Sequence, residues 1–198
     1  MFNSKKLLMA QDSHGDIILT SPDTAVVIVE KTITAQVWLI GSGAERSHYY
    51  QYISPQWGAV DFWSGGGSGA GFIGKIRLDP DTYTFTLGRT SYNAKSGTSE
   101  FDVRTFSTTL VGQNYGLLIK AGSGADTNNP QGTMASVSDG GQLIIQQNAQ
   151  IIQGSVTLQT NGNNCVSSTG GASVWNGYGK GSDDNANNAT TGYVRVKW

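Results

Sequence analysis

Residues 69–75, Gly-Ala-Gly-Phe-Ile-Gly-Lys, have the outline of a phosphate-binding loop. Gly69, Gly71 and Gly74 fit the dinucleotide fingerprint, and Lys75 extends the match toward a nucleotide-triphosphate loop. Either motif needs a strand before it and a helix after it, because the helix N-terminus supplies the N–H groups that hold the phosphate. Here a glycine tract comes first and β-patterned sequence follows, and Ile76 stands where a Ser or Thr would reach magnesium. No cofactor is expected from this stretch.

Other constellations fail on partners. Of the two histidines, His14 lies in the polar arm and His48 among tyrosines as polar loop surface, and no Gly-x-Ser-x-Gly elbow occurs. The single cysteine, Cys165, cannot close an internal disulfide and has no neighbouring His to activate it. Asp61 lies between Trp57 and Trp63, a weak opening for sugar chemistry that lacks the second carboxylate a glycosidase needs. Gly181-Ser182-Asp183-Asp184-Asn185 is oxygen-rich, but the spacing and terminal Glu of a calcium loop are missing. The sequon Asn188-Ala189-Thr190 has meaning only on a secreted chain, and Leu7-Leu8-Met9-Ala10 is too short for a signal peptide's apolar region. The expectation is a chain with no catalytic residues and no bound metal, which is not an enzyme.

The aromatic residues carry more. Trp57, Trp63, Trp175 and Tyr178 each lie within three residues of a glycine, and Tyr49, Tyr50, Tyr52 and Asp61 fall in the same region as the first two. Flat rings beside Ser, Asn and Asp suit sugars, which offer an apolar face and a hydroxyl edge. These eight residues are the candidate ligand or receptor contacts. The competing reading is that the rings pack over glycine backbone as a second core.

The scaffold for such residues is all-β. The 198 residues suffice for one domain with its own core. Gly is 27 of them, charged residues are 14% and the net charge is -1, so a basic nucleic-acid face and a polybasic membrane patch are not expected. No apolar run is long enough for a membrane-spanning helix. Residues 1–16 are polar and read as an N-terminal arm or docking segment, and 17–198 as a single glycine-rich β domain. Residues 25–30 and 33–40 read as strands, and 41–71 as a long aromatic loop. Residues 72–79 and 82–87 alternate with period two on either side of Asp79-Pro80-Asp81, which reads as an antiparallel hairpin. Short strands follow near 101–105, 117–121, 143–145, 156–158 and 192–198. No window supports an amphipathic helix of three turns. The fold class is a β-sandwich, jelly-roll-like, with long glycine-rich loops.

Five stretches carry a family resemblance. They are Met1-Phe2-Asn3-Ser4-Lys5-Lys6-Leu7-Leu8-Met9, Gln36-Val37-Trp38-Leu39-Ile40-Gly41, and the glycine tract 65–74. The others are Asp79-Pro80-Asp81-Thr82-Tyr83-Thr84-Phe85-Thr86-Leu87-Gly88 with Gly97-Thr98-Ser99-Glu100-Phe101, and Thr191-Gly192-Tyr193-Val194-Arg195-Val196. In this order they resemble the glycine-rich domain proteins of bacteriophage tails and tail-fibre tips. The resemblance implies a virion structural protein, a tail fibre or tail-tip component that binds a host surface receptor through aromatic loops. It also implies other virion proteins and a bacterial surface glycan or protein as partners, a homo-oligomer of trimeric type, and release in the virion without a signal peptide. A purely architectural head or tail decoration protein is the alternative, with a capsule depolymerase behind it. Glycine tracts of such proteins form polyproline-II rods, and residues 65–71 and 170–181 are the stretches that could supply them here.

Overall fold

The computed structural model describes residues 5–10, 14–44, 47–54, 58–64, 66–88, 90–94, 101–105, 107–124, 140–165, 170–183 and 189–198. Among these there are fifteen strands and no helix. In chain order they are β1 (Lys5–Ala10), β2 (Asp16–Leu19), β3 (Asp23–Val29), β4 (Ile33–Ile40), β5 (Ser47–Ser54), β6 (Gly58–Ser64), β7 (Gly71–Leu78) and β8 (Asp81–Leu87). They continue as β9 (Thr90–Ala94), β10 (Phe101–Thr105), β11 (Thr108–Gly112), β12 (Gly116–Ala121), β13 (Leu143–Ile145), β14 (Leu158–Thr160) and β15 (Tyr193–Lys197).

Two sheets face each other. The first runs β1-β3-β8-β11-β12-β13 and is antiparallel except where β1 joins β3 in parallel. The second runs β14-β7-β4-β15-β2 and is antiparallel throughout. Period-two alternation decides which side chains enter the core, since successive residues of a strand point to opposite faces. From the first sheet come Ala25, Val27, Val29, Tyr83, Phe85, Leu87, Leu110 and Ile119, and the second answers with Ile17, Leu19, Ala35, Val37, Leu39, Phe72, Ile76, Val194 and Val196. Each large side chain so buried contributes about 1.5–3 kcal/mol.

Residues 72–87 do not form the expected hairpin. β7 pairs with β4 and β14, and β8 with β3 and β11, so Asp79-Pro80 carries the chain from one sheet to the other. A tight two-residue hairpin needs a positive φ in its turn, and no residue here has one. The corner is held by hydrogen bonds instead. Asp79 accepts from Thr32 Oγ1 at 2.9 Å, Arg77 Nε at 2.9 Å and Gln150 Nε2 at 2.8 Å, and these donors hold its carboxyl below the ordinary value. The Tyr83 hydroxyl donates to the Asp79 carbonyl at 2.9 Å, and burial pushes that hydroxyl's pKa up to about 12.

Nor is 41–71 one long loop. Residues 47–54 and 58–64 form an antiparallel pair, β5 with β6. The glycines on either side of it belong to a second layer of structure that grows out of the sandwich. Residues 66–70, all buried, make a central rod that continues into β7. Three successive N–H groups of this rod go to three different neighbours: Ser68 to Asn163 O at 2.9 Å, Gly69 to Gly179 O at 2.8 Å, and Ala70 to Gly122 O at 2.9 Å. That is the signature of a helix with three residues per turn, the polyproline-II winding, in which each turn points its donors in three directions.

Six segments surround the rod. Residues 41–44, 141 and 171 donate to it, and 122, 163 and 179–182 accept from it. The rim is also joined edge to edge. Gly124 donates to Ser42 O, Gly122 to Gln142 O, Gly162 to Gly141 O, Gly181 to Gly171 O and Ser182 to Ala44 O. The Asn163 amide closes the remaining gap by donating to Ala172 O at 2.7 Å. An eighth segment, 189–192, lies outside against 43 and 179–180. The sequence pointed to stretches for one or two rods; eight short ones assemble because they need not be long when each continues a strand or returns to its neighbour.

Only glycine fits these contacts. A Cβ on Gly69 would lie 2.0 Å from Gly41 O, and one on Gly181 would lie 1.8 Å from Gly66 O. Gly154, by contrast, has open space and a φ of 73°. Gly69→Ala is therefore expected to lower the unfolding free energy by at least about 2–3 kcal/mol, because backbone on both sides must give way. Gly154→Asn should cost about 1 kcal/mol or less, since Asn tolerates the left-handed region. Denaturant unfolding of the two variants checks both; equal costs would contradict the close-packed bundle.

Candidate functional site

The bundle fixes where the candidate residues stand. Rods 41–44, 122–124, 161–164 and 179–183 run away from the sandwich, and 66–70, 140–142, 170–172 and 189–192 run back, as their mutual hydrogen bonds require. Ala44, Gly124, Cys165 and Asp183 accordingly end outgoing rods, and Gly66, Gly140, Gly170 and Ala189 begin returning ones, all at the end opposite the sandwich. At about 3.1 Å per residue, a five-residue rod sets that end some 15 Å beyond the sheets.

The aromatic pair β5–β6 lies in the chain between two of these rod ends, Ala44 and Gly66. In its register Tyr49 stands opposite Phe62, Tyr50 opposite Asp61, Tyr52 opposite Ala59, and His48 opposite Trp63. The structure therefore brings Tyr49, Tyr50, Tyr52, Asp61 and Trp63 onto one hairpin. Trp57 lies outside the described residues.

Trp175 and Tyr178 are elsewhere. They flank Asn176-Gly177, whose φ values of 46° and 82° make the two-residue turn that Asn-Gly favours. Tyr178 N donates to Trp175 O at 2.9 Å, and the two residues form an isolated antiparallel bridge. Ser173 ties the turn down, accepting from Trp175 N and donating to the Tyr178 carbonyl. This turn sits at the near end of the bundle and folds over the outer face of the second sheet. The rings of Trp175, Tyr178 and Tyr193 lie 4.8–5.7 Å apart, centroid to centroid. Beneath them Ile40, Ile73 and Tyr193 form a second apolar cluster, with Trp38 and Leu158 at its margin. Burial raises the Tyr193 pKa, and Arg195 opposes that shift.

The sequence reading missed Trp38 and Arg195. Register places them directly opposite each other on β4 and β15, both on the outward face. The Arg195 guanidinium stands 5.2 Å from the Trp38 ring centroid and meets Asp16 through Nε at 2.9 Å and Nη2 at 2.6 Å. Alternation in 36–40 and 193–197 marks both residues as outward, but only the pairing of β15 with β4 makes them neighbours. Residues 69–74, the apparent phosphate loop, are the last of the central rod and the first of β7. A Cβ at Gly71 would meet Leu158, Val174 and Ile40 there, and one at Gly74 would meet Phe72 and Val156. Cys165 is buried.

No family model, curated protein or solved structure matches this chain.

Asp16 and Arg195 provide a pH signature for the outer face. The hydrogen bond from Arg195 holds the Asp16 carboxyl below its ordinary 3.8; burial opposes it, and attraction from Arg195 and Lys197 adds to the lowering. A lowered folded-state pKa stabilises the fold above the unfolded value and ceases to as pH falls through the folded one. Wild type is thus expected to lose more stability than Asp16→Asn as the pH falls below 3.8. Denaturant titrations at neutral and strongly acid pH measure the difference, and parallel losses would exclude the pair from the acid response.

Proposed function

We propose that this chain is a bacteriophage virion structural protein, a tail-fibre or tail-tip component that meets a host surface receptor with the far end of its glycine bundle. The observation that carries this reading is the gathering of eight rod ends at one end of a hydrogen-bonded bundle, with the aromatic β5–β6 pair between two of them in the chain. A receptor-binding tip needs contact residues whose anchors do not move, because ordering loops on binding opposes affinity. Rods packed backbone to backbone supply such anchors without bulky side chains. Tyr49, Tyr50, Tyr52, Asp61, Trp63 and Trp57 form the contact set, and a bacterial surface glycan or protein is the partner. The sandwich end is left for neighbouring virion proteins. The reading is of a binding protein, with no catalytic residues assigned, and the sequence resemblance to phage tail proteins supports it alongside the geometry.

A variant carrying Tyr50→Ala, Trp57→Ala and Trp63→Ala is expected to lose adsorption to host cells by more than about thirtyfold, the loss typical of removing an aromatic hot spot. Its melting temperature should stay near that of wild type, since the substitutions leave every core residue and rod contact named above in place. Undiminished adsorption by the folded variant would reject the hairpin as the receptor contact.

A further inference from the structure

The outward face of the second sheet is a surface of different character from the tip. Three outward rows cross its central strands. The first row holds Ile40 and Tyr193, and the second holds Ile73, Trp38, Arg195 and Ile18. The third holds Lys75, Gln36, Lys197 and Asp16. The first row is covered by the Trp175–Tyr178 turn. In the second, Ile73 is buried and Trp38 and Arg195 are half-buried, while Ile18 is 43% exposed; in the third, Lys75, Asp16 and Lys197 are exposed.

The charges on this open area do not balance. Asp16 is neutralised by Arg195. At the end of β7, Arg77 is paired with Asp79 at 2.9 Å. Lys75 and Lys197 close no ion pair with a described residue, and they stand on either side of Gln36, two strand spacings apart, or about 10 Å. An amide between two ammonium groups, in a row beside a tryptophan, is a set of donors with an apolar plate. Arg195 adds a third cation that is already oriented. Asp16 takes its Nε and Nη2, and Trp38 lies beneath it. A guanidinium has five N–H donors, so its outward edge keeps capacity for a ligand carboxylate.

We propose that this face binds an acidic polysaccharide, one whose repeat carries uronate carboxylates. Lys75 and Lys197 meet successive carboxylates, the spacing between them being close to that of a disaccharide repeat. Arg195 and Gln36 hydrogen-bond the sugar between them, and the free part of the Trp38 ring packs on its apolar face. The net excess of two cations over a flat, partly aromatic surface favours this occupant over a neutral glycan. The site shares no residue with the β5–β6 hairpin, so it stands or falls separately from the proposed receptor contact.

The test uses the full chain with three polyuronate oligosaccharides, from alginate, polygalacturonate and hyaluronate. Dextran oligosaccharide is the neutral control and inorganic polyphosphate the control for charge alone. Binding is followed by calorimetry and tryptophan fluorescence. At least one polyuronate is expected to bind, dextran is not, and polyphosphate should be weaker by about tenfold or more. Lys75→Gln with Lys197→Gln should lower polyuronate affinity at least about tenfold, with a shallower salt dependence and an unchanged melting temperature. Trp38→Leu should weaken binding while leaving the salt dependence as it was. The Tyr50, Trp57 and Trp63 variant should bind polyuronate as wild type does. Failure of all three polyuronates to bind would overturn the proposal, as would polyphosphate binding equally well or the double lysine variant binding normally.

Discussion

The contact on which the structure depends is backbone against backbone at glycine. In the bundle a carbonyl of one rod occupies the space where a neighbour's Cβ would be. Gly69 against Gly41 and Gly181 against Gly66 show the scale, with separations that no other residue could reach. Such closeness brings N–H and C=O groups of different rods within hydrogen-bonding distance on every side. Buried peptide groups without partners would be costly, so the lattice of bonds is a condition of burying the rods at all. Small polar side chains do the same at chosen points. Ser42 Oγ, buried, donates to Gly88 O and accepts from Gly192 N, joining a rod to the starts of two neighbouring segments.

Because the rods are continuations of strands, bundle and sandwich are one piece. The central rod becomes β7, rod 41–44 follows β4, rod 122–124 follows β12, and 189–192 leads into β15. The apolar core of the sandwich thereby sets the register of the rods. Three ion pairs among the described residues brace these parts. Arg77 and Asp79 pair at the corner between the sheets, Arg195 and Asp16 join the edge strand β2 to β15, and Lys180 and Asp183 lie 3.7 Å apart along one rod.

Much of the sandwich was legible in the sequence, because alternation survives wherever one face of a strand is buried. β4 and β13 fall where the pattern puts them, and β3 and β15 within a residue or two. Partnership was not legible. The residues of β7 and β8 alternate as cleanly as a hairpin does, and both send their apolar faces into the same core, but from opposite sheets. The absence of Gly or Asn in Asp79-Pro80-Asp81 was the available warning. The bundle had a signal too: Gly-Ser-Gly-Ala occurs at 41–44, 67–70 and 122–125. Its meaning lies in contacts between copies far apart in the chain, which composition cannot convey. The Trp38–Arg195 stack was hidden for the same reason, whereas the turn at Asn176-Gly177 is local and could have been read directly.

The alternation of outgoing and returning rods has a thermodynamic corollary. Each excursion at the far end begins and ends on segments of one hydrogen-bonded array, so its closure is fixed by the array and not by its own length. Doubling such a loop adds only about 0.6 kcal/mol of closure entropy. Residues inserted in the chain between β5 and β6 leave every rod contact in place. The scaffold is thus insulated from change at its tip, and new tip sequences can be exchanged by grafting or by selection with the folding problem already solved beneath them.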